Sequence, residues 1–359
     1  MRNIVTQRNG IHRFFLQLGN KWAIIFLILG AMLFSIISPG FLSFNGIQVI
    51  LFNSPYILLF GLAETFVIIT GGGGIDLSVG FVMGFASVVS AKLIALFVSM
   101  GMNDLSSIIT GIVITLVIGI IPGFVNGILI GRLKVPPFIA TFSMLGITHG
   151  ISELLIKGVV AKNLPALAGK IGNGSLIYIV PGKTVSFFIK PLIQRGGQLI
   201  EILPIVFVIP FIFILIFAFI LKRTKFGQHT YAIGGNVDAA IRAGIDVKNH
   251  LIKIYMLSSF FATIAGILYM LRYITGKADA GVGFLLDGIA AVVIGGASLY
   301  GGIGSVWKTI IGCFIILVLE NGLRMLGFPT FYKYIVVGIV LIFAVLVDQL
   351  FPELIHEEV

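Results

Sequence analysis

Charge is scarce in this sequence. Only 11% of its 359 residues are Asp, Glu, Lys or Arg, against 58% that are hydrophobic, and the mean hydropathy is +1.12. So few polar groups cannot cover a globule of this length, which excludes a soluble globular chain and places most of it in lipid. Cysteine is nearly missing: Cys313 stands alone in an apolar run, which excludes an intramolecular disulfide and a cysteine-held metal. The five histidines are scattered without metal-ligand spacing, and no Ser or Cys sits in a recognisable nucleophile turn. An enzymatic reading therefore has little to stand on. A Gly-x4-Gly-Lys-Ser/Thr phosphate loop is also missing, so the chain does not hold ATP in the P-loop manner.

What the sequence does have is a succession of long apolar runs. A bilayer core of about 30 Å takes about 20 helical residues to cross. Runs of that kind span Trp22 to Ile37, Gly46 to Thr70, Phe81 to Met100, Ser106 to Ile130, Phe138 to Leu155, Ile200 to Leu221, Leu251 to Leu271, Phe284 to Leu299, Val306 to Leu319 and Tyr332 to Leu350. The reading is a single all-α domain over residues 1–359, a polytopic membrane bundle of about ten spans. The eighth and ninth runs are short and glycine-flanked, which predicts re-entrant or tilted segments there. The first run follows Arg2, Arg8, Arg13 and Lys21 as a signal peptide would, but no small-x-small cleavage site follows it, so it reads as a retained helix.

The net charge of +10 and pI near 9.7 do not indicate nucleic acid, because the basic residues sit in short clusters between apolar runs. Drawn as ten spans, the N-terminal tail 1–21, the turn Arg132 to Lys134 and the loop 222–250 with Lys222, Arg223, Lys225, Arg242 and Lys248 share one side. The positive-inside rule makes that side cytoplasmic, with both termini on it. The excursion 157–199 falls outside. In the fourth run Gly111, Thr115, Gly119, Gly123, Gly127 and Gly131 recur every four residues, a stripe that lets another helix backbone approach closely. Gly80 and Gly84 begin a shorter stripe of the same kind.

The loop after the sixth run predicts a short helix. Asn236 is placed to cap its start, Asp238 favours its positive end, and Gly244 can end it in a left-handed conformation. About two turns result, roughly 12 Å long, with a face of Ala239, Ala240 and Ala243 slim enough to seat in a groove on another protein. A plain capped connector explains the caps equally well. Gly71 to Gly74 break the regular helix and free amide groups toward a cavity or path, while Asp76 and Ser78 act either as caps or in passage of a solute. Glu64 lies inside a span and needs a partner, a cavity or water. Asn53 and Asn126 bridge helices or line a path. Asp287, Glu320, Asn321 and Arg324 form a second polar set, in which the four-residue spacing predicts a Glu320–Arg324 ion pair.

Four ordered strings carry a family resemblance. "TKFGQHTYAIGGNVDAAIRAGIDV" from Thr224 resembles the coupling-helix loop of ribose, galactose and xylose type ABC importer permeases, where a short helix docks on the ATP-binding subunit. "GIDLSVG" from Gly74, "GRLKVPPFIA" from Gly131 after Asn126 and Gly127, and the pair "DGIAAVVIGGASLYGGIGSV" from Asp287 and "ENGLRMLGFPTFYKY" from Glu320 resemble the same family. Leu285 stands where a Glu is usual and Lys308 where a Gly is common; the glycine run before Ile75 is longer than usual, and residues 157–198 match no motif. The resemblance implies a bundle similar to the cobalamin-importer architecture, paired with a second permease subunit, either an identical copy or a paralogue. It further implies a cytoplasmic ATP-binding subunit that holds ATP and Mg, an extracytoplasmic solute-binding protein, and no cofactor on this chain. Gly235, Asn236, Asp238, Ala239, Ala240, Arg242, Ala243, Gly244 and Ile245 would form the coupling segment. Asn53, Glu64, Gly72, Gly73, Asp76, Ser78, Asn126, Asp287 and Asn321 are candidates for the path or its gates. The solute, by resemblance, is a monosaccharide; a quorum-signalling furanose, a nucleoside, or an ion-coupled transporter outside this family are the alternatives.

Overall fold

A computed structural model describes residues 22–162, 164–181, 184–191, 199–329 and 331–350. The basic N-terminal residues invoked for orientation lie outside that set. Among the described residues ten apolar helices build the bundle: α1 (Trp22–Ile37), α2 (Phe44–Thr70), α3 (Val79–Ser99), α4 (Asp104–Gly131), α5 (Pro137–Ile156), α7 (Ile205–Arg223), α10 (Val247–Tyr273), α11 (Val282–Ile294), α12 (Val306–Met325) and α13 (Phe331–Leu350). Seven of them are long and apolar enough to cross a bilayer outright; α1, α11 and α13 offer shorter apolar stretches. Two more helices, α8 (Lys225–Gly235) and α9 (Val237–Arg242), fill the loop between α7 and α10.

Burial ranks these helices from centre to rim. The most apolar window of α10 is 72% buried and that of α2 is 67%, whereas α7 is only 28% buried. The outer faces of α4 and α7 carry exposed Ile109, Val113, Val117, Phe211, Ile212 and Phe219, as lipid-facing surfaces do. From Gly119 onward the glycine stripe of α4 faces α10, while Gly111 faces Ile94 of α3. A Cβ on Gly127 would stand 2.5 Å from the Cα of Ile252, and Gly119 and Gly123 abut Thr263 and the Tyr255 carbonyl just as closely. The stripe is thus a packing device between α4 and the central helix.

Two expectations about the elements are corrected. The sixth run was expected to be helical from Ile200; residues Ile200–Pro204 instead form β3, and the helix starts at Ile205 behind Pro204. Alternating Ile200 and Ile202 pair with Ile179 and Ile177 of β1 (Ser175–Val180), and a proline suits a helix start because its missing N–H is not needed there. In the excursion α6 (Ala166–Gly172) precedes an antiparallel sheet of β1, β2 (Thr184–Phe187) and β3, in the order β2-β1-β3. The ninth run is not short, since α12 continues through Glu320 and Asn321 to Met325. The eighth is: α11 has 13 residues and stops at Ile294, ahead of Gly296 at φ +89°.

The sheet sits at one end of the bundle, where Gln48 Nε2 donates to the Glu201 carbonyl and Asn173 Nδ2 to that of Arg272. Helices α8 and α9 sit at the opposite end, beside the turn that follows α2 and the loop 298–304. These two ends frame every candidate site.

Candidate functional site

Helix α9 is short, capped and displayed. Asn236 Oδ1 accepts from the Ala239 amide at 2.9 Å, and Gly244 ends the segment at φ +81°, the left-handed geometry a glycine adopts without a Cβ clash. Its three alanines do not share one exposed face. Ala240 points inward, 3% exposed, and packs with Ile233 and Val247 in a small apolar cluster that Ile245 and Leu251 flank. Ala239 and Ala243 remain outside with Asp238 and Arg242, and the apolar side chains presented there are Val237 and Ile241, 40% and 55% exposed. In this six-residue helix Ala240 is thus the buried side chain, while Val237 and Ile241, four apart, fall on one exposed side. The caps were legible in the sequence, whereas α8, amphipathic with Gly227, Thr230 and Ile233 buried, was not anticipated.

Beneath α9 the chain reverses direction. Gly71, Gly72 and Gly73 all have φ near +70° to +80°, and the backbone stays non-helical to Ser78, re-entering the bundle beside α2. Gly72 and Gly73 are exposed, whereas Asp76 and Ser78 are wholly buried. A cleft of about 230 Å³ opens here, lined by Gly71, Gly72, Lys134, Val237 and Tyr255 among others.

The re-entrant segment carries a hydrogen-bonded polar cluster. Asp76 Oδ1 accepts from the Ser78 amide at 3.0 Å and the Ser78 hydroxyl at 2.5 Å; its Oδ2 accepts from Ser258 of α10 at 2.7 Å. Glu64 Oε2 accepts the Asp76 amide at 3.3 Å, and Asn126 of α4 donates to Ser78 at 3.2 Å. Four sequence-predicted residues, Glu64, Asp76, Ser78 and Asn126, are thereby brought into one site that ties α2, α4 and α10 to a non-helical strand. Glu64 Oε1 and Asn126 Oδ1 are buried with no hydrogen-bond partner among the described residues. Ser258 was missed; its only signal is a hydroxyl pair, Ser258–Ser259, in mid-span.

The other candidates lie elsewhere. Asp287 pairs with Lys333 of α13 at 2.7 Å, both almost wholly buried, and Lys333 also lies 3.6 Å from Glu320. The Glu320–Arg324 pair forms at 2.6 Å. Lys333 was not singled out from the sequence, though a lysine three residues into an apolar helix is itself a signal for a buried partner. Asn321 donates to the Met325 sulfur at 3.8 Å. Asn53 accepts from Arg272 at 3.4 Å, toward the sheet end. The candidates for a path therefore fall into three separate groups.

The family model described as branched-chain amino acid transport system / permease component matches residues 46–345, a stretch that includes α9, the glycine turn and the buried cluster. The chain belongs to that family. The ribose import permease protein of Bacillus subtilis is 36% identical over 326 residues, 90% of each chain. That of Escherichia coli K12 is 30% identical over 349 residues, 96% of this chain and 99% of the relative. The D-allose transport system permease protein of E. coli K12 is 31% identical, covering 91% and 89%. No solved structure matches the chain. Family membership makes this chain a membrane-embedded transport component.

Proposed function

We propose that this chain is the permease subunit of an ATP-driven importer of a monosaccharide, and that α9 is the element on which a cytoplasmic ATP-binding subunit seats. The observation that carries the reading is α9 itself: a capped helix outside the apolar bundle, anchored by Ala240 and presenting Val237 and Ile241 outward. Relatives whose names give ribose and D-allose as their solutes support the sugar class. On this reading the α9 end faces the cytoplasm of an inner-membrane protein, the sheet end faces a solute-binding protein, and a second permease copy or paralogue completes the path. ATP and Mg reside on the partner. Closure of the ATP-binding subunits moves α9, and the bundle rocks to change which side its path faces.

The test is uptake of labelled pentoses and hexoses by proteoliposomes holding the permease, the ATP-binding subunit and the solute-binding protein. Ile241→Asp is expected to lower coupled uptake at least about tenfold, the scale of a central interface side chain, with unchanged insertion. Wild-type uptake by that variant, or uptake that persists without the ATP-binding subunit, would overturn the proposal.

A further inference from the structure

The loop 298–304 between α11 and α12 has no role in the reading above, yet it is joined to the docking helices backbone to backbone. A Cβ built on Gly71 would stand 3.0 Å from the Cα of Gly234 and 3.1 Å from the carbonyl oxygen of Tyr300. One on Gly302 would stand 3.0 Å from the Cα of Gly235. Gly234 and Gly301 leave still less room, against Ile69 and Gly71 respectively. The Gly302 amide donates to the Ile69 carbonyl at 2.8 Å, and the Tyr231 hydroxyl of α8 donates to the Gly304 carbonyl at 2.8 Å. The end of α2, the end of α8 and the loop thus meet with no side chain between them, and close backbone contact of this kind leaves little slack.

At the tip of that loop stands Tyr300, 73% exposed. Ser298 holds the tip in shape: its amide donates to the Ile303 carbonyl at 3.0 Å, and its hydroxyl accepts the Tyr300 amide at 3.2 Å. An aromatic side chain so far out of the fold, on a loop this firmly set, has no hydrogen-bond or aromatic partner among the described residues. Val237 begins α9 only three residues after Gly234, so the exposed Val237 and Ile241 belong to the same end of the molecule as Tyr300. Tyrosine is enriched at the centres of protein interfaces because it supplies area and a polar tip at small entropic cost. Lys222, Arg223, Lys225 and Arg242 lie at the end of α7 and on α8 and α9, and this basic character suits a protein partner with an acidic rim.

We propose that the loop 298–304 is a second docking element for the same ATP-binding subunit, with Tyr300 as its contact residue. The inference rests on the reading of α9 given above. A partner seated on α9 then grips two segments joined through glycine, and the end of α2, two turns from Glu64, moves with them.

Photo-crosslinking in the native host, with a benzophenone amino acid at position 241 or 300 of the full chain, tests it. The expected result is that both positions capture one and the same polypeptide, identified by mass spectrometry as carrying a Gly-x4-Gly-Lys-Ser/Thr loop. Capture from 241 but not from 300 would overturn the role of the loop and leave the proposed function standing. Capture of no such polypeptide from either position would overturn both. In proteoliposomes, Tyr300→Asp is expected to weaken stimulation of ATP hydrolysis at least about tenfold while Tyr300→Phe retains most of it; equal hydrolysis by Tyr300→Asp and wild type would also overturn the role of the loop.

Discussion

A single lysine shows most clearly how burial sets a residue's worth here. Lys333 satisfies the almost wholly buried Asp287 at 2.7 Å and lies 3.6 Å from Glu320, in a setting where Asp287 has no water to turn to. Removing one member of a buried pair strands the other charge, which costs about 3–5 kcal/mol, while removing both is close to neutral. Lys333→Met should therefore lower the thermal unfolding midpoint in detergent sharply, and Lys333→Met with Asp287→Asn should recover most of the loss. A double variant no more stable than the single one would show that the pair is not what holds α11 to α13. Ala240 teaches the converse lesson: a small residue counted as part of a docking face proves to be an anchor, so a bulky charge there tests folding before it tests coupling.

Among the elements, the α4–α10 contact is governed by missing side chains. Gly127→Leu drives a branched chain into the backbone at Ile252, and overpacking of this sort costs about 1–3 kcal/mol. Gly146→Leu on the exposed face of α5, where a Cβ would meet nothing within 4 Å, should be silent in the same unfolding assay. The start of α10 offers a pH-dependent test. Asp246 caps it, accepting the Asn249 amide at 3.1 Å, and that bond above all holds its carboxyl below the usual range. A lowered folded-state value means that the cap contributes above the unfolded value of about 3.9 and fades as pH falls through the folded one. The difference in unfolding midpoint between wild type and Asp246→Ala should be constant above about pH 5 and close on further acidification. A difference that widens toward acid would contradict the cap.

At the scale of the whole molecule the question is which end faces the cytoplasm. Cys313 is wholly buried, so the wild-type chain should resist maleimides in the membrane and serve as a clean background. Val185→Cys in the sheet and Ala239→Cys on α9 are both exposed, at opposite ends. An impermeant maleimide applied to intact cells should label Val185→Cys and spare Ala239→Cys until the membrane is opened. The opposite pattern would invert the proposed orientation and remove α9 from reach of any ATP-binding subunit.

The sequence by itself determined that this is a bundle of about ten apolar helices, because the length and apolarity of a lipid-spanning helix are local properties written in consecutive residues. It determined the caps of α9 and the Glu320–Arg324 pair for the same reason, since each depends on residues three or four positions apart. Only the tertiary structure decided that Glu64, Asp76, Ser78, Asn126 and Ser258 form one cluster, that Lys333 answers Asp287 across 46 residues, and that three glycine segments meet beneath α9. Such contacts arise when distant helices pack, and the pattern of a single helix holds no record of which neighbour its polar face will meet. The strand at Ile200–Pro204 is a case of the same kind, where an apolar stretch that reads as helix takes its form from the strand it pairs with.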